Sequence, residues 1–301
     1  MKKLFTDLSI IIPTFYPGEI INNCINSLPQ EADIIIVDNG DDPELDNIIK
    51  NKYPRIRHYK IGDVGLPKSF NFAVEKSKNE SILITQPDVT FEEDAISNLL
   101  SASKKYPNAG ILAPIIFENK EYSLYDTLDL NLSKTGELKT KKQFKSINIK
   151  PTGDFCAQAV NATAMLMKKN IIKKVNGWDE NIYTYLEDID LCIKIRKNNF
   201  QIIKIPKAIV NHVGFGSHKK ENAEKAELSR NWHFCWSSLY FREKYTKKSE
   251  FTLFFISNFI KYFSKVSINL ILFNKKKFKI NLIRLRACLN YIIQKKSSYR
   301  Y

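Results

Sequence analysis

The chain has 301 residues, 44% hydrophobic and 26% charged, which is ample for one large domain with an appendage and too apolar for a disordered chain. Its net charge of +15 suggests nucleic acid until it is divided along the chain. Residues 251–301 hold eleven basic side chains and no acidic one, leaving only +4 for the first 250. Five scattered cysteines (Cys24, Cys156, Cys192, Cys235, Cys288) have no CxxC spacing, which speaks against zinc or dithiol chemistry and for a reducing, cytoplasmic setting. The first fifteen residues carry no signal-peptide core, and no uncharged apolar run reaches the ~18 residues of a spanning helix.

Residues 8–12 are a buried-strand candidate closed by Pro13, and 19–28 have helical spacing through Ile20, Cys24 and Leu28. A second strand over 32–37 stops at Asp38-Asn39-Gly40. Helices over 45–50 and 68–78 alternate with strands over 56–59 and 81–85. This alternation predicts an α/β fold with a mostly parallel sheet and right-handed crossovers. Ligands of such sheets gather at the carboxyl ends of the strands, where the polar clusters 14–16, 38–42 and 86–88 would lie together.

Thr90-Phe-Glu-Glu93 fits a capping box opening a helix that runs to about Tyr106, before Pro107-Asn108. Beyond it lie a short apolar run at 111–117, a polar, lysine-rich loop or hairpin at 131–150, and a strand at 160–167. A turn at Gly177-Trp178-Asp179-Glu180 follows, then an amphipathic helix over 187–197 and a strand over 200–205. We place a domain boundary after residue 245. From there Phe251, Phe255, Phe259, Tyr262, Val266, Leu270 and Phe273 recur at helical steps with Lys261 and Lys265 opposite. A break at Lys275-Lys276-Lys277 separates them from Leu282, Leu285, Leu289 and Ile293. Such a basic amphipathic tail, 246–301, either lies in a membrane interface or packs on the domain.

Three clusters have chemical potential. Gln86-Pro87-Asp88 puts a carboxylate at a strand end, where it either holds a hard cation or makes a turn. Glu187, Asp188 and Asp190 crowd one helix start, where they complement the dipole or provide a base whose pKa is raised by like charge. Asn211-His212-Val213-Gly214 puts an imidazole at a glycine turn. His218 and His233 lack such a setting, and His58 has no visible carboxylate partner.

Taken in order, the Ile-Ile-Pro-Thr opening, Val37-Asp38-Asn39-Gly40, the 62–71 segment, Gln86-Pro87-Asp88, Gly177-Trp178-Asp179-Glu180, Glu187-Asp188-Ile189-Asp190 and His212 resemble the family-two glycosyltransferases of the GT-A fold, in particular their bacterial rhamnosyltransferase-like branch. The likeness covers about residues 7–245. It implies that Pro13, Thr14 and Asp38 line the donor's base and ribose, and that Gly65, Lys68 and Asn71 pass beneath the diphosphate and sugar. Pro87 and Asp88 would face the diphosphate, Asp88 matching the last acid of the DxD motif, although Gln86 stands where many members have Asp. Asp88 and His212 would then hold Mn²⁺ or Mg²⁺. Asp188 matches the base of inverting members and Glu187 would orient the acceptor. Trp178 either stacks on a sugar or fills the core, and Asp190 is a catalytic or a structural acid.

The implied enzyme is an inverting, metal-dependent glycosyltransferase. It would take a UDP- or dTDP-linked sugar to a glycan or lipid-linked acceptor for surface polysaccharide, peripheral to the inner face of the membrane. No nucleic acid is expected, and a homo-oligomer is left open. The competing readings are a basic nucleic-acid- or membrane-binding protein and a nucleotidyltransferase on a similar fold.

Overall fold

The computed structural model describes residues 5–118, 121–122, 153–214, 223–294, 297 and 299. They fall into two compact units. One comprises 5–118, 121–122, 153–179 and 188–214, the other 180–187 and the residues from 223 onward.

The first unit opens with four parallel strands joined by helices. β1 (Leu8–Thr14), α1 (Ile20–Asn26), β2 (Asp33–Asp38), α2 (Pro43–Lys52), β3 (Arg57–Lys60), α3 (Leu66–Lys76) and β4 (Ser81–Thr85) follow in chain order. Every residue of β1 is buried, as expected for a central parallel strand covered on both faces. Leu8, Ile10 and Ile12 join one core with Ile21, Cys24 and Ile25 of α1 and Leu45, Ile48 and Ile49 of α2. Strand β1 runs past Pro13 to Thr14, two residues further than expected. Its pairing with β4 ends at Ile11, so the proline sits where β1 has only β2 as neighbour.

The chain continues through β5 (Val89–Phe91), α4 (Ala95–Lys105), β6 (Ala109–Glu118), β7 (Glu121–Tyr122), β8 (Phe155–Cys156), β9 (Ala164–Lys168), α5 (Lys169–Lys174), α6 (Glu187–Lys197) and β10 (Gln201–His212). The sheet of ten strands has the order β3-β2-β1-β4-β9-β6-β10-β5, with β7 beside β6 and β8 beside β10. Strand β9 is antiparallel to both neighbours, and β10 is parallel to β6. The ends of β1, β2, β4, β6 and β10 therefore share one rim. Strand order reverses between β1 and β4, the position where such sheets open a crevice.

The capping box is overturned. Thr90 lies in β5, whose Val89 and Phe91 are buried and pair with the end of β10, and α4 starts only after Asp94. Pairing of two apolar residues outweighs a local cap. Strand β10 likewise continues beyond Ile205, because residues 206–208 bulge out at Pro206 and pairing with β6 resumes at Ile209. The short α5, β5 and β8 were not anticipated. The 131–150 loop expectation and His218 lie outside the described residues.

The second unit contains α7 (Ala223–Tyr245), α8 (Lys248–Ile271) and α9 (Lys275–Gln294). Trp232, Cys235, Trp236 and Leu239 of α7, Phe254 and Tyr262 of α8, and Ala287, Cys288 and Tyr291 of α9 form its core. The boundary drawn after residue 245 falls between α7 and α8, whereas packing groups α7 with the two helices that follow. The three lysines taken as a break open α9, and the chain turns at 272–274 instead. Segment 180–187 rests on α7: Ser237 Oγ donates to the Thr184 carbonyl at 2.7 Å, and Tyr183 stacks on His233 with ring centres 4.3 Å apart.

Candidate active site

The turn after β4 is fixed from three sides. Cys24 Sγ donates to the Gln86 carbonyl at 3.4 Å, Val89 N–H donates to the same carbonyl at 3.3 Å, and Val213 N–H donates to the Asp88 carbonyl at 3.1 Å. Because His212 pairs with Val89 across β5 and β10, its ring meets the Asp88 side chain, Nε2 lying 3.5 Å from Oδ2. On the other edge of the ring, Nδ1 is 3.0 Å from Glu118 Oε1, at the end of β6. The two carboxylates outweigh burial and raise the affinity of His212 for a proton. The structure brings residues 88 and 212 together and adds Glu118, which has no motif and reaches them through β6–β10 pairing.

Two octahedral ligands at about 2.1 Å from one ion stand about 3 Å apart, so the Asp88–His212 separation suits a shared divalent cation. Among the described residues no third acidic, histidine or cysteine side chain completes a cluster. A pair of protein ligands that leaves positions for phosphate and water is the usual Mg²⁺ mode, and the imidazole tilts the set toward Mn²⁺. The residues fit the ion.

Asp188 stands in the first turn of α6. Its Oδ2 accepts from Ala162 N–H at 3.3 Å and its Oδ1 from Ile189 N–H at 2.8 Å. Burial raises its pKa above the usual aspartate value against the pull of these amides. Ala162 lies two residues before β9, and Ala164 pairs with Thr85, the last residue of β4. Asp188 is thus tied to the strand-end rim that carries Asp88 three residues past Thr85. Glu187 is buried, and the boundary between the units runs between it and Asp188. Tyr185 and Leu186, just before them, both have left-handed backbones, φ 68° and 69°, a costly conformation for such side chains. Asp190 is completely buried in the first turn, as a structural acid would be.

Other expected donor contacts have different placements. Asp38 is 0% exposed, its Oδ1 accepting from Gly40 N–H at 2.8 Å and its Oδ2 from Asp42 N–H at 2.7 Å. Its carboxylate shapes the loop after β2. Pro13 and Thr14 are buried beside it, Thr14 Oγ1 donating to the Val37 carbonyl at 3.4 Å. Against that loop lies Tyr16, from the turn after β1, 45% exposed at φ 49°, whose ring covers Gly40 so closely that a Cβ there would lie 2.9 Å from it. His58, expected to stand alone, has Asp46 Oδ1 at 3.3 Å from Nδ1 and Asp38 at 3.9 Å from Nε2. These partners come from β2 and α2, out of reach of a local reading.

Gly65 caps α3 at φ 88°, with Lys68 exposed in the first turn and Ser69 Oγ bonded to the Gly65 carbonyl at 2.8 Å. Asn71 follows one turn on. Its Nδ2 donates to the Trp178 carbonyl at 3.0 Å, and Trp178 N–H donates to its Oδ1 at 2.9 Å. Lys194 of α6 donates to the carbonyls of Asn176, at 3.1 Å, and Gly177. The 176–178 turn is therefore a strut between α3 and α6, the helix that bears Asp188. Trp178 itself is 2% exposed, its ring centre 4.9 Å from that of Phe70, so of its two expected roles the structure gives it the core.

A profile described as Glycosyl transferase family 2 matches residues 9–167, more than half of the chain. The chain belongs to glycosyl transferase family 2. This glycosyltransferase is 22% identical over 233 residues to the N-acetylglucosaminyl-diphospho-decaprenol L-rhamnosyltransferase of Mycobacterium tuberculosis, covering 68% of the chain and 75% of that relative. It is 26% identical over 209 residues to rhamnosyltransferase WbbL of Escherichia coli K12, covering 64% and 76%. It is also 22% identical over 208 residues to the low-salt glycan biosynthesis hexosyltransferase Agl10 of Haloferax volcanii, covering 67% and 65%. The crystal structure of GalNAc-T7 with UDP, GalNAc and Mn²⁺ shares its fold with a TM-score of 0.56 at 12% identity, over 77% of the chain and half of that structure. The fold is GT-A-like, and the nucleic-acid-binding and nucleotidyltransferase readings receive no support from these comparisons.

Proposed function

We propose that this glycosyltransferase moves a sugar from a UDP- or dTDP-linked donor to a glycan or lipid-linked acceptor with inversion, in bacterial surface polysaccharide synthesis at the inner face of the membrane. The observation that carries the reading is the Asp88–His212 pair, 3.5 Å apart on the same strand-end rim to which Asp188 is tied. The rhamnosyltransferase relatives support the sugar-transfer class, and the diphospho-decaprenol in the name of one supports a lipid-linked acceptor here.

Tyr16, packed against Gly40 of the loop that Asp38 holds, supplies an exposed aromatic face for the nucleobase. Lys68 and the amide-rich start of α3 offer positive charge to the diphosphate. Asp88 and His212 would hold Mn²⁺ or Mg²⁺, and the ion would supply positive charge to the diphosphate leaving group. Asp188, made a stronger base by burial, accepts the proton of an acceptor hydroxyl. The freed oxygen forms a bond to the anomeric carbon from the face opposite the diphosphate, whose bond breaks in the same displacement. Glu187 orients the acceptor beside that base. The helical unit provides the membrane contact.

A panel of nucleotide sugars with Mn²⁺ or Mg²⁺, scored by release of nucleoside diphosphate and by thermal stabilisation, tests the assignment. A donor that stabilises the protein and yields product with inverted anomeric configuration is the expected result. A retained configuration, or full turnover by Asp188→Asn, would overturn it.

A further inference from the structure

The apolar stripe legible in the tail is largely used up inside the helical unit. Phe251, Phe255, Phe259, Tyr262 and Val266 of α8 pack toward the core shared with α7 and α9. A second stripe, Leu253, Ile256, Ile260 and Phe263, follows steps of three and four residues along another side of the same helix and is exposed, Phe263 at 57%. It leads to the exposed helix end at 270–273, where Phe273 is 89% exposed. Apolar surface this continuous on a protein exterior marks an interaction site.

The charges indicate the occupant. No acidic residue follows Glu250 in the sequence. Lys276 and Lys279 are paired with Glu227 and Glu224 of α7, whereas Lys265, Lys275 and Lys277 are exposed without an acidic partner among the described residues. A second copy laid on this face would bring like charges together. An anionic bilayer offers apolar depth and negative headgroups at once. Among the described residues no helix is long and apolar enough to cross a membrane, so α8 would lie in the interface plane.

We propose that the outer side of α8 (Leu253, Ile256, Ile260, Phe263) and its 270–273 end are the surface that inserts into an anionic bilayer, with Lys275 and Lys277, just past that end, on lipid phosphate groups. This rests on the reading that the helical unit meets the membrane, and it reassigns the contact from the stripe visible in the sequence to the one left outside. The transfer chemistry does not depend on it.

Flotation of the full chain with phosphatidylcholine vesicles, with and without phosphatidylglycerol, provides the test. The wild type is expected to bind the anionic vesicles. The variant Ile256→Ser/Ile260→Ser/Phe263→Ser is expected to partition about 100-fold less, since three half-exposed side chains no longer leave water. Lys275→Gln/Lys277→Gln should lose about fivefold per lysine on anionic vesicles only, with a matching sensitivity to salt. In Phe263→Trp, which keeps the face apolar, the added indole should shift to the blue on binding and be quenched by brominated lipid. Binding by the wild type together with equal binding by the folded serine variant, or an unshifted tryptophan, would refute the surface and leave membrane association standing. A wild type that binds neither vesicle would refute both. A lipid-free dimer that the serine variant dissolves would assign the face to a second copy.

Discussion

Removing the Asn71 side chain separates a donor contact from a structural clamp. Asn71→Ala deletes two hydrogen bonds, at 2.9 and 3.0 Å, to the N–H and carbonyl of Trp178. Each partly buried backbone group left without a partner costs about 1–3 kcal/mol, and water admitted by the truncation keeps the sum near about 2–3 kcal/mol. At about 2–4 °C per kcal/mol for a domain of this size class, melting should fall by about 4–12 °C. Gly177→Ala attacks the same contact from the other side. Its backbone is left-handed at φ 50° and a Cβ there would lie 2.3 Å from Asn71 Oδ1, so it should cost about 1–2 kcal/mol of backbone strain plus the loss of the clamp. In the double variant the clash has gone and only the strain is added. A double-mutant cycle by urea unfolding should therefore give a coupling of about 2–3 kcal/mol. Additive effects, or an Asn71→Ala protein that melts like the parent but has a raised donor KM, would refute the clamp and restore the donor contact.

Asp188→Asn should lower turnover by about 10²–10⁴-fold with donor binding retained. Because burial raises the Asp188 pKa, the acid limb of kcat/KM should lie above the ordinary aspartate range, with activity lost as pH falls through it. Its contribution to folding has the same raised pKa and the opposite benefit, present at acid pH and lost as pH rises. Glu118→Ala should weaken Mn²⁺ binding by about 10–100-fold in calorimetry, because Nδ1 of His212 loses the carboxylate that orients the ring, with Glu118→Gln recovering part of the loss. For His58, burial outweighs the attraction of Asp38 and Asp46 and lowers its pKa. The unfolded chain then takes up the proton more readily, so stability should fall as pH drops through about 6.5, and His58→Gln should flatten melting curves measured between pH 5 and 8.

Local pattern was enough to identify the elements whose signals are local. The apolar runs of β1, β2 and β4 and the helical spacing of α1, α3 and α6 are properties of short windows, and α6 and β4 begin and end where periodicity puts them. Where tertiary pairing competes, periodicity fails: β5 replaced a capping box because Phe91 found a place beside β10, and β10 passed Pro206 by bulging. The same division runs through the site. Asp88 and His212 were recognisable from their turns at strand ends, but Glu118 is one acid among many until β6 brings it beside the imidazole.

What the sequence determined by itself was chemical identity and order: which strands are apolar enough to be central, which acids follow them, and that the basic excess sits in the last fifty residues. Only the tertiary structure decided which of those groups remain available. Asp38, Asn71 and Trp178 each have partners within the fold: loop amides, a turn and an aromatic neighbour. Tyr16 and the outer side of α8 carry no motif and stay exposed. The physical reason is that hydrogen-bond capacity and apolar area are finite, and what a fold takes for its own interior is settled by neighbours distant in the chain.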